Sequence, residues 1–433
     1  MSSSNKRVVI IGGGFAGIQL ARKLKNSPYE ILLIDQYNYH QFQPLFYQVA
    51  TARLEPASIS FPLRKIFQKA RNVKIRITKA TGVNPTLNTV HTEIGDFAYD
   101  YLVLATGCTT NFFGNAQLMK YAYPMKSTTE AVALRNRILQ NFEDALSAPV
   151  NELEGIMNFV VVGGGPTGVE LSGALAEMKR NILPKDYPDM DFSKLSIYLL
   201  EGSSHTLNNM SEVSKTKSQQ YLEDLGVKVW TNAIVQTYDG KNVTLQDGRT
   251  IPTNNLIWAA GVTGNMVSGI DADSIFRSSR FIVDRHNLVK GYNNIYALGD
   301  ISLMETPKFP KGHPQVANVA INQAKVLGHN LLGLLKGKPM TDFEFKDPGS
   351  MATVGKRKAV VDLPGFSFQG KLAWFFWMFL HLMLILSVKS KLIIFINWAW
   401  SYFTNDTTLR LILKHKTPPG RPNEEEEEAQ PAM

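Results

Sequence analysis

A glycine-rich turn of the form G-x-G-x-x-G occurs twice in this chain, each time fed by a short apolar run. The first copy is Gly12-Gly13-Gly14-Phe15-Ala16-Gly17, after Val8-Val9-Ile10-Ile11. The second is Gly163-Gly164-Gly165-Pro166-Thr167-Gly168, after Phe159-Val160-Val161-Val162. Each apolar run reads as a buried strand and each stretch beyond the turn as a helix. In that setting the glycines let the backbone turn tightly and approach a pyrophosphate, whose charge meets the helix N-terminus. One copy is a common pattern. Two imply two dinucleotides, the arrangement of a flavoprotein reduced by a nicotinamide.

An acidic residue ending the next strand should grip the adenosine ribose. Glu30-Ile31-Leu32-Leu33-Ile34-Asp35 supplies Asp35 after the first cradle, and Leu195 to Glu201 supplies Glu201 after the second. A carboxylate at Glu201 would repel the 2′-phosphate of NADPH, and no arginine follows it closely, so NADH is favoured. Tyr101 to Leu104 reads as a strand running into Ala105-Thr106-Gly107, and Ile295 to Leu298 as one running into Gly299-Asp300. In two-dinucleotide flavoproteins a late Gly-Asp supplies a carboxylate to the ribityl and pyrophosphate region of FAD. Asp300 alone would also suit a helix N-cap.

The predicted fold class is therefore α/β, with two Rossmann-like dinucleotide-binding domains of the FAD/NAD(P)-linked reductase fold and a C-terminal amphipathic helical membrane-anchoring module. The FAD-binding domain is expected to be discontinuous, over residues 1–149 and 285–350, around an NADH-binding domain at 150–284. The membrane module is expected at 351–420, with a disordered acidic tail at 421–433 containing Glu424 to Glu428. Asp247-Gly248 signals a hairpin in the second domain.

The net charge of +9 comes with no nucleic-acid-reading motif. The single cysteine, Cys108, excludes an intrachain redox disulfide and reads as a small packed residue. The eight scattered histidines show no metal spacing, so no metal site is expected. No signal peptide is read at the start, where a four-residue apolar run flows into the first cradle.

Composition shifts near residue 371. Leu372 to Leu386 is apolar apart from His381, and a second run, Leu392 to Phe403, carries Asn397 and Ser401 on one helix face. Lys371, Lys389 and Lys391 flank the first run, and Arg410, Lys414, His415 and Lys416 follow the second. Clustered Trp and Tyr with flanking cations suit helices lying in the lipid interface. A span by 372–388 stays open, as does a pair of buried helices in a soluble dimer.

These pieces together resemble the type II NADH:quinone oxidoreductases, the single-subunit, non-pumping NADH dehydrogenases. The resemblance covers residues 6–415 and rests on GGGFAG at 12–17, FQPLFYQVAT at 42–51, LATG at 104–107, GGGPTGVE at 163–170, ALGD at 297–300 and the amphipathic C-terminus. It implies FAD held by Gly12, Gly14, Phe15, Ala16, Gly17, Asp35, Ala105, Thr106, Gly107, Gly299 and Asp300, with Pro44 and Leu45 bordering the isoalloxazine. It implies NADH held by Gly163, Gly165, Gly168 and Glu201. Glu170, read as a first-turn residue that also suits the helix dipole, would lie beside flavin and nicotinamide and serve quinone reduction. Lys371 would correspond to a family lysine on the first C-terminal helix.

The implied partners are a quinone (menaquinone or ubiquinone), the cytoplasmic face of the inner membrane, and a second copy in a homodimer. One departure stands out. The family's AQxxxQ quinone signature is here Ala317-Asn318-Val319-Ala320-Ile321-Asn322, followed by Gln323. Each asparagine withdraws its amide by about 1.5 Å, one carbon–carbon bond. The alternatives are a soluble NADH-dependent flavin reductase or oxidase with another acceptor, or an NADH-sensing flavoprotein.

Overall fold

The computed structural model describes residues 6–404, 406 and 409–413. Each cradle ends the central strand of a five-stranded parallel sheet. The first sheet runs Ile295–Ala297, Tyr101–Leu104, Arg7–Ile11, Glu30–Asp35, Val73–Ile77. Its central strands are apolar on both faces because both are covered. Val8, Ile10, Ile31 and Leu33 pack under the helices Phe15–Leu24 and Ala317–Leu334. Val9, Ile11, Leu32 and Ile34 pack against Phe281, Met304 and Phe343.

The second sheet runs Tyr123–Pro124, Asn255–Trp258, Asn158–Val162, Ser196–Leu200, Val227–Trp230, again all parallel. In both sheets the cradle strand lies between the acid-bearing strand and a later one, so chain order reverses there. Such a switch point opens a crevice beyond the strands' carboxyl ends. The second sheet begins earlier than the expected boundary at 150, because Tyr123–Pro124 forms its edge. A two-residue strand has no periodicity to read. The chain also rejoins the first unit ahead of 285, where Val83 N–H donates to the Ser268 carbonyl at 2.9 Å. The hairpin at Asp247-Gly248 is present, joining Asn242–Leu245 to Thr250–Pro252.

Beyond the helix Ala317–Leu334 comes an antiparallel meander, Ser350–Thr353, Ala359–Leu363 and Phe366–Gln369. The helices Lys371–Leu384 and Val388–Thr404 follow it. Ala373, Trp377, Ile394 and Trp398 are buried, whereas Leu372, Phe375, Phe379, Leu392, Phe395, Trp400 and Phe403 lie exposed on the outer faces. The chain leaves helical geometry at Ile385, so 372–388 is not one continuous helix. The first helix has 14 residues, a rise of about 21 Å against the roughly 30 Å of a hydrocarbon core. No helix among the described residues is long and apolar enough to cross a membrane. The acidic tail and Lys414, His415 and Lys416 lie outside the described residues.

Candidate active site

The two cradles share one construction. Gly12 has φ +110° and Gly163 φ +108°. A β-carbon at Gly12 would collide with the Ala105 carbonyl, and one at Gly163 with the Ala259 carbonyl. A β-carbon at Gly17 or Gly168 would strike the carbonyl of Gly12 or Gly163, so helix and strand can close only on glycine. Gly14 and Gly165 have open space before them. That gap at a helix N-terminus is what a pyrophosphate would fill. The Thr106 hydroxyl is buried without a partner among the described residues at the same mouth. Each cradle fits the pyrophosphate of a dinucleotide.

Asp35 Oδ2 accepts from Gly13 N at 2.5 Å and Oδ1 from Tyr37 N at 2.7 Å. Burial raises its pKa, opposed by these two hydrogen bonds. Glu201 repeats the arrangement, accepting from Gly164 N at 2.5 Å and Ser203 N at 2.7 Å. Each carboxylate thus braces its cradle at the place where a ribose would lie.

Phe15 and Ala16 belong to the first cradle, Ala105 and Gly107 follow the neighbouring strand Tyr101–Leu104, and Pro44 and Leu45 lie in the short turn Gln43–Leu45, with Ala16, Leu45 and Ala105 buried. His40, which the sequence did not single out, hydrogen-bonds the Gly13 carbonyl through Nδ1 at 3.1 Å, with its ring edge-on to Phe15. Burial pushes its pKa down to about 4, so it stays a neutral donor. Asp300 sits in the short turn Gly299–Ile301 rather than capping a long helix. Cys108, read as packing alone, turns its thiol onto Asp300 Oδ2 at 3.0 Å, and burial plus that charge push it up to about 12. Ala259-Ala260-Gly261 also went unread. It follows its strand just as Ala105-Thr106-Gly107 follows Tyr101–Leu104, and that repeat was the available signal.

Asn318 and Asn322 lie one turn apart near the start of the helix Ala317–Leu334, and neither amide has a hydrogen-bond partner among the described residues. Gln323 is committed elsewhere. Its Oε1 accepts from Gly299 N at 2.7 Å and Ser302 Oγ at 3.4 Å, bracing the Gly-Asp turn.

Glu170 is the fifth residue of the helix Pro166–Asn181, which has no acidic residue in its first turn, so the helix-dipole reading is set aside. It is 7% exposed, and its Oε1 accepts from Thr353 N at 3.2 Å and Thr353 Oγ1 at 3.4 Å. The Trp377 indole lies beside it, its N–H short of good hydrogen-bond geometry. Desolvation outweighs these donors and raises the carboxyl to about 8. Lys371 is exposed at the start of its helix. Trp377 lies six positions further along, which puts the two on different faces at 3.6 residues per turn.

Residues 6–324 match the pyridine nucleotide-disulphide oxidoreductases, and residues 348–405 the NDH2 C-terminal domain. Two relatives from Mycobacterium tuberculosis are the type II NADH:quinone oxidoreductases NdhA and Ndh. They are 34% and 33% identical over 92% of this chain and 87% and 88% of their own lengths. A solved Plasmodium falciparum NDH2 in complex with NADH superposes with TM-score 0.87 at 22% identity, covering 95% of this chain and all of that one. A sulfide:quinone oxidoreductase from Aquifex aeolicus shares the fold, with TM-score 0.70 at 22% identity, covering 92% of this chain and 95% of its own. This chain belongs to the pyridine nucleotide-disulphide oxidoreductase family and, within it, to the type II NADH:quinone oxidoreductases. With one cysteine it has no use for the disulfide in the wider family's name.

Proposed function

We propose that the chain oxidises NADH with bound FAD and passes the electrons to a membrane quinone without pumping protons. The observation that carries this reading is the pair of matched cradles joined to a helical module with an apolar outer face. FAD, when bound, would supply the hydride acceptor and the two-electron carrier between NADH and the quinone. Gly12, Gly14, Gly17, Asp35, Thr106 and Asp300 hold it, and Gly163, Gly165, Gly168 and Glu201 hold NADH. The Glu201 charge disfavours a 2′-phosphate. Asn318 and Asn322 offer their amides to the quinone.

The overall reaction, NADH + quinone + H⁺ giving NAD⁺ + quinol, takes one proton per turnover from solution. Glu170, neutral at pH 7, holds that proton. Lys371, exposed beside the apolar face, is better placed for lipid headgroups than for Glu170. The module lies in the surface layer of the bilayer on its cytoplasmic face, supported by the exposed Phe375, Phe379, Trp400 and Phe403 and the flanking Lys371 and Lys389. The family resemblance extends this to two copies side by side.

Proteoliposomes with a pH-sensitive dye inside test the reading. NADH added outside with a short-chain menaquinone or ubiquinone should turn over while the lumen pH holds steady. No turnover with either quinone, or lumen acidification coupled to it, would contradict the proposal.

A further inference from the structure

The buried carboxyl group of Glu170 ends a chain of side chains that starts on the second C-terminal helix. Trp398 Nε1 donates to Gln48 Oε1 at 2.7 Å. Gln48 Nε2 donates to Tyr47 Oη at 2.9 Å, and Tyr47 Oη lies 3.0 Å from Thr353 Oγ1. Thr353 Oγ1 reaches Glu170 Oε1. An indole N–H can only donate, so it fixes the Gln48 amide with its oxygen toward Trp398 and its NH₂ toward Tyr47. Tyr47 accepts from that NH₂, which leaves its own proton for Thr353. Thr353 in turn directs its proton to Glu170. Every hydrogen in the chain points at the carboxylate.

A cavity of about 30 Å³ touches Tyr47, Gln48 and Thr353 and is walled by Arg53, Lys356 and Ser401. That is room for about two waters beside polar partners. Arg53 faces Glu177 at 3.9 Å, and Lys356 Nζ donates to the carbonyls of Ser401 and Tyr402 at the end of the second helix. Gln48 can orient but cannot relay, because an amide does not readily surrender a proton. The hydroxyls can.

Resting on the proposed quinone reduction, we infer that Tyr47 and Thr353 return the solution proton to Glu170 from this cavity, with Trp398 and Gln48 setting the direction of the chain. The step balances. After Glu170 has given its proton to the reduced quinone, Thr353 Oγ1–H passes a proton to Glu170 Oε1. Thr353 takes one from Tyr47, Tyr47 takes one from cavity water, and that water takes one from bulk solvent, so the net change is one solution proton delivered to Glu170. No electron moves. The charged and titratable groups around the relay and its cavity include Glu170, Tyr47, Arg53, Glu177, Lys356, Tyr402 and His381, the last stacked on Trp377 at 3.9 Å. Burial holds Tyr47 protonated, so it acts as a link and not as a base.

The test uses the full-length flavoprotein with Tyr47→Phe, Thr353→Val and Thr353→Ser. Stopped flow follows flavin reduction by NADH and reoxidation by a short-chain quinone separately, in H₂O and D₂O. Infrared spectra track the carboxylic-acid band of Glu170, identified by its loss in Glu170→Gln. Tyr47→Phe and Thr353→Val should leave reduction by NADH at the parent rate. They should slow reoxidation about tenfold, enlarge its solvent isotope effect and shift the pH at which the Glu170 band titrates, while Thr353→Ser restores all three. Parent-like reoxidation, isotope effect and band titration in both Tyr47→Phe and Thr353→Val would overturn the relay. Failure of the parent itself to reduce quinone would instead sink the reading beneath it.

Discussion

Glu170 departs from an ordinary glutamate through burial more than through any neighbouring charge. Two hydrogen bonds from Thr353 act to lower its pKa, yet desolvation carries it to about 8 from 4.5. Between those values the folded chain binds a proton that the unfolded chain has released. The contribution of Glu170 to stability is therefore most favourable below pH 4.5 and falls as pH rises toward about 8. Glu170→Gln removes that dependence. Its melting temperature relative to the parent should rise from pH 5 to pH 8.5, and a difference that stays flat across this range would contradict a buried neutral carboxyl. The sequence placed this residue beside the second cradle by counting from Gly168. It could not disclose the surroundings, because Thr353 comes far later in the chain and Trp377 from a third element.

At the scale of elements, close approach explains why that environment exists. The helix Pro166–Asn181 bears Gly173 one turn beyond Glu170, and a β-carbon there would stand 2.6 Å from Gly355 N. The glycine lets the strand end at Thr353 lie against the helix and reach the carboxyl. Helix propensity alone says Gly173→Ala should stabilise by about 1 kcal/mol. Overpacking against a backbone that cannot yield costs about 1–3 kcal/mol. The second effect should win, and denaturant unfolding should show a net loss; a more stable variant would refute the close packing. Elements set by such local demands were the legible ones. The cradles, their strands and the Asp247-Gly248 hairpin follow from glycine geometry and short apolar runs. The edge strand Tyr123–Pro124 was not legible, since only its distant partner Ile257–Trp258 makes it a strand.

At the scale of the whole molecule, the C-terminal helices face two ways. Trp377 and Trp398 close the core over Glu170 and Gln48, while Phe375, 49% exposed, and Phe403, 81% exposed, face outward. Replacing both outer rings with serine should weaken co-sedimentation with anionic vesicles by more than tenfold, taking about 1.5–3 kcal/mol per buried phenylalanine. Flavin reduction by NADH should not change, because the cradles lie in other sheets. Unaltered vesicle binding would remove the membrane role of this face. The apolar runs were plain in the sequence. Which residues of each run turn inward depended on partners distant in sequence, the meander and Glu170 for the first run and Gln48 for the second.

The central claim, that one flavin stands between NADH and a quinone, is tested most directly by an anaerobic double-mixing stopped-flow measurement. The purified flavoprotein is first mixed with one equivalent of NADH and then with a short-chain menaquinone or ubiquinone. Rapid bleaching of the flavin followed by rapid reoxidation on the second mix is the predicted result, with Asn318 and Asn322 sufficient to seat the quinone. Rapid bleaching that persists after either quinone is added would contradict the account and assign the electrons to another acceptor.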